Sequence, residues 1–299
     1  MGDQQPRAYV GTSAWNKPQW RGHFYPEGLV QRRELEYAAE RLASLEINAT
    51  FHGLQSPATY LDWRARTPDD FVFSVKGNRT VTHDHRLMNP ARNVADFFAS
   101  GVLGLQEKMG PVLWQVSEYL PFASHTTEEF LAVLPHSVRE AQALIEQHAR
   151  TEADRLSLTA PDRPIRHAFE VRHESFKDAK FLELLRRYDV AVVVTNSPPW
   201  PELRDVTSGF VYVRLHGDLE RRPHGYSDAD LDEWAGRING WLSGKACPDG
   251  RGRDVFAYFD NPDDRGTRSP FDAMHLHDRL GTDARLYRGD TTFQPPLWE

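Results

Sequence analysis

Cysteine is nearly absent: Cys247 is the single one among 299 residues, so no disulfide can close within the chain. No Cys or His pairs recur at zinc-ligand spacing either, which removes a structural zinc from the expected features. No apolar run approaches the roughly 18 residues of a membrane-spanning helix. The opening MGDQQPRAYV carries no basic segment followed by an apolar one. The expectation is a cytoplasmic protein with no membrane partner, and the Asn48-Ala49-Thr50 sequon is set aside with it. Positive charge is also in deficit, 36 Lys and Arg against 43 Asp and Glu for a net charge of −7, so broad nucleic-acid binding is not expected. There is no Gly-x-Gly-x-x-Gly after the first strand-like run and no Gly-x-Ser-x-Gly elbow. Cys247, in the turn-like SGKACPDG, is no candidate nucleophile.

What is present is a chain able to bury a large core, with 39% hydrophobic and 11% aromatic residues, read as one domain over 1–299. Strand-like runs recur at 9–13, 45–51, 71–77, 111–116, 166–173, 190–196, 210–217 and 255–261. Helical periodicity lies between most of them, as in Leu35, Ala38 and Leu42, or Phe181, Leu184, Leu185 and Tyr188. Ser56 before Pro57, and Ser227 three residues before Asp230, are helix start signals. SPPWPELRDVTSGF, between the sixth and seventh strands, has three prolines and no apolar stripe, so no regular helix is expected there. The stretch 118–165 reads as an elaborated crossover with helices near 127–134 and 138–154. Eight strands alternating with helices give an α/β (β/α)8 TIM-like barrel, with a doubly wound open sheet as the alternative.

Side chains alternate faces along a strand, and in a barrel the face toward the helices must be apolar. That places Glu46, Asn48 and Thr50 of the second strand inside, with Ser74 and Lys76 of the third. It does the same for Ala168, Glu170 and Arg172 of the fifth, Tyr212, Arg214 and His216 of the seventh, and Tyr258 and Asp260 of the eighth. Three acids (Glu46, Glu170, Asp260) then face three bases (Lys76, Arg172, Arg214), a set that can neutralise itself and brace the barrel. Lys76, Arg172, His216 and Asp260 fall near the carboxyl ends of their strands, where barrels place ligands.

The loops beyond those ends are basic: KGNRTVTHDHR brings Arg79, His83, His85 and Arg86, and HGDLERRPHGYSD brings Arg221, Arg222, His224 and Tyr226. Solvated loop charge is the ordinary reading of each. Together with Lys76, Arg172 and Arg214 they point to a mouth suited to phosphate or carboxylate. The first loop carries Trp15, Trp20, Phe24 and Tyr25, which either stack on a ring of a ligand or pack on the rim. Gln115 and Asn261, ending the fourth and eighth strands, supply neutral hydrogen bonds.

The stretches VGTSAW, QWRGHFYPEGL, LEINATF, FVFSVKGNRTVTH, GPVLWQ, HAFEVRHESF, FVYVRLHG with GYSD, and VFAYFDN, taken in order, resemble the YecE-like family, the domain of unknown function 72. The resemblance runs through almost the whole chain and implies a TIM-barrel-like fold without assigning a reaction. Departures from the pattern include Ala14 where glycine is usual, His52, Ser117, Phe176 and Asp272.

The expected function is an enzyme acting on a small anionic or phosphorylated molecule by general acid–base chemistry. Lys76, Arg172 and Arg214 would hold the anion, with Trp15, Trp20, Asn48, Thr50, His83, Gln115, Tyr226 and Asn261 lining the site. Glu46, Glu170, His216 or Asp260 would move protons. The alternatives are a metal-assisted phosphodiesterase using those four as ligands, against which three interior bases count, and a non-catalytic ligand- or partner-binding barrel. No motif points to a particular cofactor or oligomeric state.

Overall fold

Eight parallel strands pair in chain order and close on themselves, β8 hydrogen-bonding β1. They are β1 (Ala8–Ser13), β2 (Ser44–Ile47), β3 (Val72–Lys76), β4 (Met109–Gln115), β5 (His167–Glu170), β6 (Val190–Thr195), β7 (Phe210–Leu215) and β8 (Asp254–Phe259). The computed structural model describes residues 5–150, 160–218, 220, 224–260 and 266–281. Among these, helices follow as α1 (Glu34–Ala39), α2 (Ala49–His52), α3 (Pro57–Ala65), α4 (Pro90–Ala99), α5 (Ser124–Ala132), α6 (Val138–His148), α7 (Ala179–Arg187), α8 (Asp228–Leu242) and α9 (Ser269–Leu280). The barrel, not the open sheet, is the architecture.

Period-two alternation builds it. Outward residues such as Leu45, Ile47, Val75, Phe169, Val213 and Leu215 are buried against the helical layer, while inward residues form a second cluster around Leu113, Ala168, Val193, Tyr212 and Tyr258. Gly11 falls on the inner face by alternation with outward Val10, and a Cβ there would run into the Ser44 carbonyl oxygen of the adjacent strand. The start signals hold: Ser56 Oγ accepts from Thr59 N at 3.3 Å, and Ser227 with Asp230 forms a capping box on α8. Segment 196–209 crosses from β6 to β7 without a helix. Within 118–165, α5 and α6 are present, α6 ends at His148, and the remainder of the expected second helix falls largely on 151–159, outside the described residues.

The second strand is shorter than its alternation predicts. It stops at Ile47, Asn48 turns to φ −92° and ψ −17°, and Ala49–His52 form a helical turn. A hydroxyl that competes with the sheet ladder accompanies the turn: the single Thr50 Oγ1 hydrogen is shared between the carbonyl oxygens of Lys76 at 2.6 Å and Ile47 at 3.0 Å. Asn48 and Thr50 are therefore not strand residues, and the Thr50 hydroxyl is spent on backbone.

The interior is graded from bottom to top. Tyr9 stacks on Phe256 at 4.6 Å near the amino ends of the strands. Ser44 shares a 2.7 Å hydrogen bond with the Tyr258 hydroxyl, and Ser74 shares one of the same length with Tyr212, at mid-height. Charged groups gather at the carboxyl end.

Candidate functional site

Arg214, 1% exposed, is the hub of that end. Its Nε and Nη2 grip Glu46 at 3.1 and 2.9 Å, Nη1 donates to Glu170 at 2.9 Å, and Nη2 also reaches Ser13 Oγ at 3.1 Å and Asp260 at 3.3 Å. Glu46 is completed by Ser13 Oγ at 2.7 Å and the Tyr212 hydroxyl at 2.6 Å. Glu170 receives Gln115 Nε2 at 2.8 Å and Arg172 Nε at 3.2 Å. Asp260 receives Lys17 Nζ at 2.9 Å from the first loop. A guanidinium with fixed donors in a plane suits this convergence of carboxylates better than an ammonium would.

The electrostatics follow from the pairing. Burial alone would raise the Glu170 carboxyl, but Arg214 and then Arg172 outweigh it and hold it well below the usual carboxylate range. Asp260 is likewise lowered, its burial outweighed by Lys17 and Arg214. His216 is 2.9 Å from Arg214 through Nε2, which must accept, so its proton sits on Nδ1, 3.9 Å from Asp260. Burial first and Arg214 next push its pKa down to about 4. Near neutral pH both carboxylates are ionised and the imidazole is neutral.

Lys76 stands apart from this network. It ends β3 on the inner face and is 8% exposed, and its Nζ lies 4.3 Å from the centroid of the Phe51 ring. Among the described residues Nζ makes no hydrogen bond or ion pair; the nearby carboxylates are held by Arg214. Burial first, then Arg214, push its pKa down to about 8 against the pull of Glu170 and Glu46. Two buried oxygens at the same end of the barrel also lack partners: Asn48 Oδ1 and Thr195 Oγ1. Ile47 pairs with Val75 across β2 and β3, so Asn48 and Lys76 stand one step beyond that pair. Thr195 ends β6, in register with Arg214.

Arg172 lies just past β5 with its guanidinium 3.7 Å from the centroid of the Trp200 ring, and that ring meets His216 edge-on at 5.9 Å. Its Nε is used on Glu170, leaving both terminal nitrogens without a hydrogen bond among the described residues. His83, half-buried, bonds Thr82 Oγ1 through Nδ1, packs against Phe51 at 5.0 Å and is lowered by burial first, then by Lys76 and Arg172. A cavity of about 210 Å³ borders this end, lined by Asn196, Trp200, Asp218, Trp234 and Arg237 among others.

Other residues singled out by the sequence are placed elsewhere. Trp20 is fully buried, donating Nε1 to the Gly266 carbonyl at 3.0 Å. Trp15 packs its edge on Trp63 at 5.4 Å, in the helical layer. The Tyr226 hydroxyl donates to Asn196 Oδ1 at 2.9 Å and packs edge-on against Phe259, tying the loop after β7 to the barrel. Arg79 pairs with Asp84 on the surface, and Arg86 donates to the Tyr119 carbonyl. Asn261, Arg221 and Arg222 lie outside the described residues. Ser13, Lys17, Thr195 and Trp200 join the site without having been singled out. Of these only Ser13 carried a signal, standing two residues beyond Gly11 on the same face.

The metal-site alternative meets Arg214 directly. Its guanidinium lies 2.9–3.3 Å from atoms of Glu46, Glu170, His216 and Asp260, the position that a cation shared by those four would have to take. Among the described residues no three His, Cys, Asp or Glu side chains converge as a ligand set.

The profile of the family described as "Protein of unknown function DUF72" matches residues 9–296. The chain belongs to the DUF72 family. It is 28% identical over 111 residues to the UPF0759 protein YecE of Escherichia coli K12, a match covering 37% of this chain and only 35% of that relative. Among solved structures, a DUF72 protein of Thermotoga maritima MSB8 superposes with a TM-score of 0.70 at 22% identity, over 92% of this chain and 99% of that one. A DUF72 protein of Enterococcus faecalis V583 does so with a TM-score of 0.65 at 14% identity, over 94% and 100%. At these identities the likeness carries the barrel fold. Among the described residues of this DUF72 chain no helix is long and apolar enough to cross a membrane.

Proposed function

We propose that this DUF72 barrel is an enzyme that binds a small anionic substrate, carboxylate or phosphate, at the carboxyl end of its strands and exchanges a proton with it through Lys76. The observation that carries this reading is the Lys76 ammonium, which has no ion pair among the described residues and is 8% exposed beside a carboxylate set already claimed by other cations. Among the described residues three carboxylates, Glu46, Glu170 and Asp260, face four cations, Lys17, Lys76, Arg172 and Arg214, an excess of one positive charge that favours an anionic ligand. The terminal nitrogens of Arg172 add a fork for the same anion.

Glu46 and Glu170 serve this reading as positioning groups that fix Arg214 and Arg172. Lys76, with its pKa near 8, is the inner residue whose proton leaves close to neutrality. The test is the rise in melting temperature that inorganic phosphate or citrate gives the wild type, repeated on Arg172→Ala and Lys76→Met. Both variants should lose most of that rise; equal shifts in all three proteins would overturn the assignment.

A further inference from the structure

We propose that Lys76 is a nucleophile that forms an imine with the carbonyl group of its anionic substrate. The proposal rests on the reading above, which supplies the anion site, and narrows it to a substrate class: a short aldehyde, ketone or 2-oxo acid carrying a carboxylate or phosphate.

Geometry carries it. A lysine that only neutralises charge would be expected to meet a carboxylate, and Glu46 and Glu170 stand in the same interior, yet Arg214 and Arg172 hold both. Nζ lies over the Phe51 ring instead, on a residue 8% exposed, at the mouth where a carbonyl compound could reach it. The surroundings favour the amine over the ammonium, so an appreciable fraction is nucleophilic at neutral pH. The two orphan oxygens find a use in the same scheme. Asn48 Oδ1, one step past the end of β2 next to β3, and Thr195 Oγ1, at the end of β6, are buried groups left for a ligand hydroxyl to satisfy, while Arg172 takes the anion.

The step balances without an oxidant. The Nζ lone pair attacks the carbonyl carbon, forming a C–N bond as the carbonyl π pair moves onto oxygen. One N–H proton passes to that oxygen, giving a carbinolamine. Its hydroxyl, protonated from solvent, leaves as water while nitrogen's lone pair completes the C=N bond of the iminium. An α C–H bond of the iminium then gives its proton to water, its electron pair forming the C=C bond of an enamine as the C=N π pair moves onto nitrogen; reprotonation at that carbon restores the iminium, and water adding to the iminium carbon releases the carbonyl compound and the free lysine.

The experiment incubates the full chain with pyruvate or, separately, dihydroxyacetone phosphate in the presence of cyanoborohydride, and maps reduced adducts by peptide mass spectrometry. Lys76 should be labelled about tenfold faster or more than any other lysine with at least one of the two probes. Lys76→Arg, which keeps the charge, should lose the fast phase and leave surface labelling unchanged. Labelling of Lys76 no faster than the other lysines with either probe overturns the imine. If phosphate still raises the melting temperature in that case, the anion-binding reading survives alone; if it does not, both fall. Should Lys76→Arg fail to fold, the comparison of lysines within the wild type decides by itself.

Discussion

Replacing Arg214 by methionine removes the one cation that serves three carboxylates while keeping a long side chain in its place. Glu46 and Glu170 are 0% exposed, so neither can recover its charge compensation from water. Glu170 would retain Gln115 and Arg172, but Glu46 would keep only the Ser13 and Tyr212 hydroxyls. Breaking a buried pair from one side costs about 3–5 kcal/mol, and proton uptake by an uncompensated carboxylate caps the loss in that range. Against a typical stability of about 5–15 kcal/mol the variant should still fold. Its pH dependence should change sign. In the wild type Glu170 and Asp260 are lowered in the folded state, so their contribution is present above the ordinary carboxylate range and is lost as pH falls through it. Without Arg214, burial raises the orphaned carboxyls above their unfolded values, and stability is lost as pH rises instead. Urea unfolding of both proteins at about pH 7.5 and about pH 5 reads this directly: wild type flat or weaker in acid, variant stronger in acid. A loss below about 1 kcal/mol at the higher pH, or parallel pH profiles, would refute the hub.

Lys76→Met should stabilise the protein at pH 7 by up to about 3 kcal/mol. The folded pKa near 8 against an ordinary 10.5 makes the charged lysine a cost that fades as pH climbs between those values, so the gain in urea unfolding should shrink by about pH 10; no gain at pH 7 would show the lysine is paired. His216→Gln keeps an acceptor for Arg214 Nη1 and removes a group whose folded pKa is near 4. The wild type should lose up to about 3 kcal/mol as pH falls from 6.5 through 4, and the variant should lack that component; identical acid profiles by calorimetry would contradict a buried neutral imidazole. Ala14 holds φ 71°, a conformation that favours glycine, so Ala14→Gly should raise stability by about 1 kcal/mol and the melting temperature with it; an unchanged or lower melting temperature would count against strain at that turn.

The eight strands were legible because each is short and flanked by turns, and because their apolar positions recur every second residue, a pattern that also assigned Lys76, Glu170 and Arg214 to the inner face. The same rule failed at Asn48 and Thr50, where a threonine hydroxyl competes with the ladder and the chain enters a helical turn that alternation alone does not reveal. It was silent at Thr195, whose strand VAVVVT is apolar on both faces, so the one hydroxyl on the inner face has no contrast to mark it. Trp20 shows a different limit: an aromatic loop residue has the same pattern whether its ring meets a ligand or, as here, the core.

Charge counting left the pairing open. Three acids against three bases read as a self-neutralising set, but neutrality of a list says nothing about partners. Arg214 takes contacts with three carboxylates and Lys17 enters from a loop to bind Asp260, so among the described residues the cation left over is Lys76. A buried ammonium without a partner weakens the fold that contains it, whereas hydrophobic residues of similar size would strengthen it. A barrel shaped by stability alone would place methionine or leucine at the end of β3. The lysine there, buried and with no ion pair among the described residues, is the kind of perturbed charge at the carboxyl end of a barrel that clusters at functional sites.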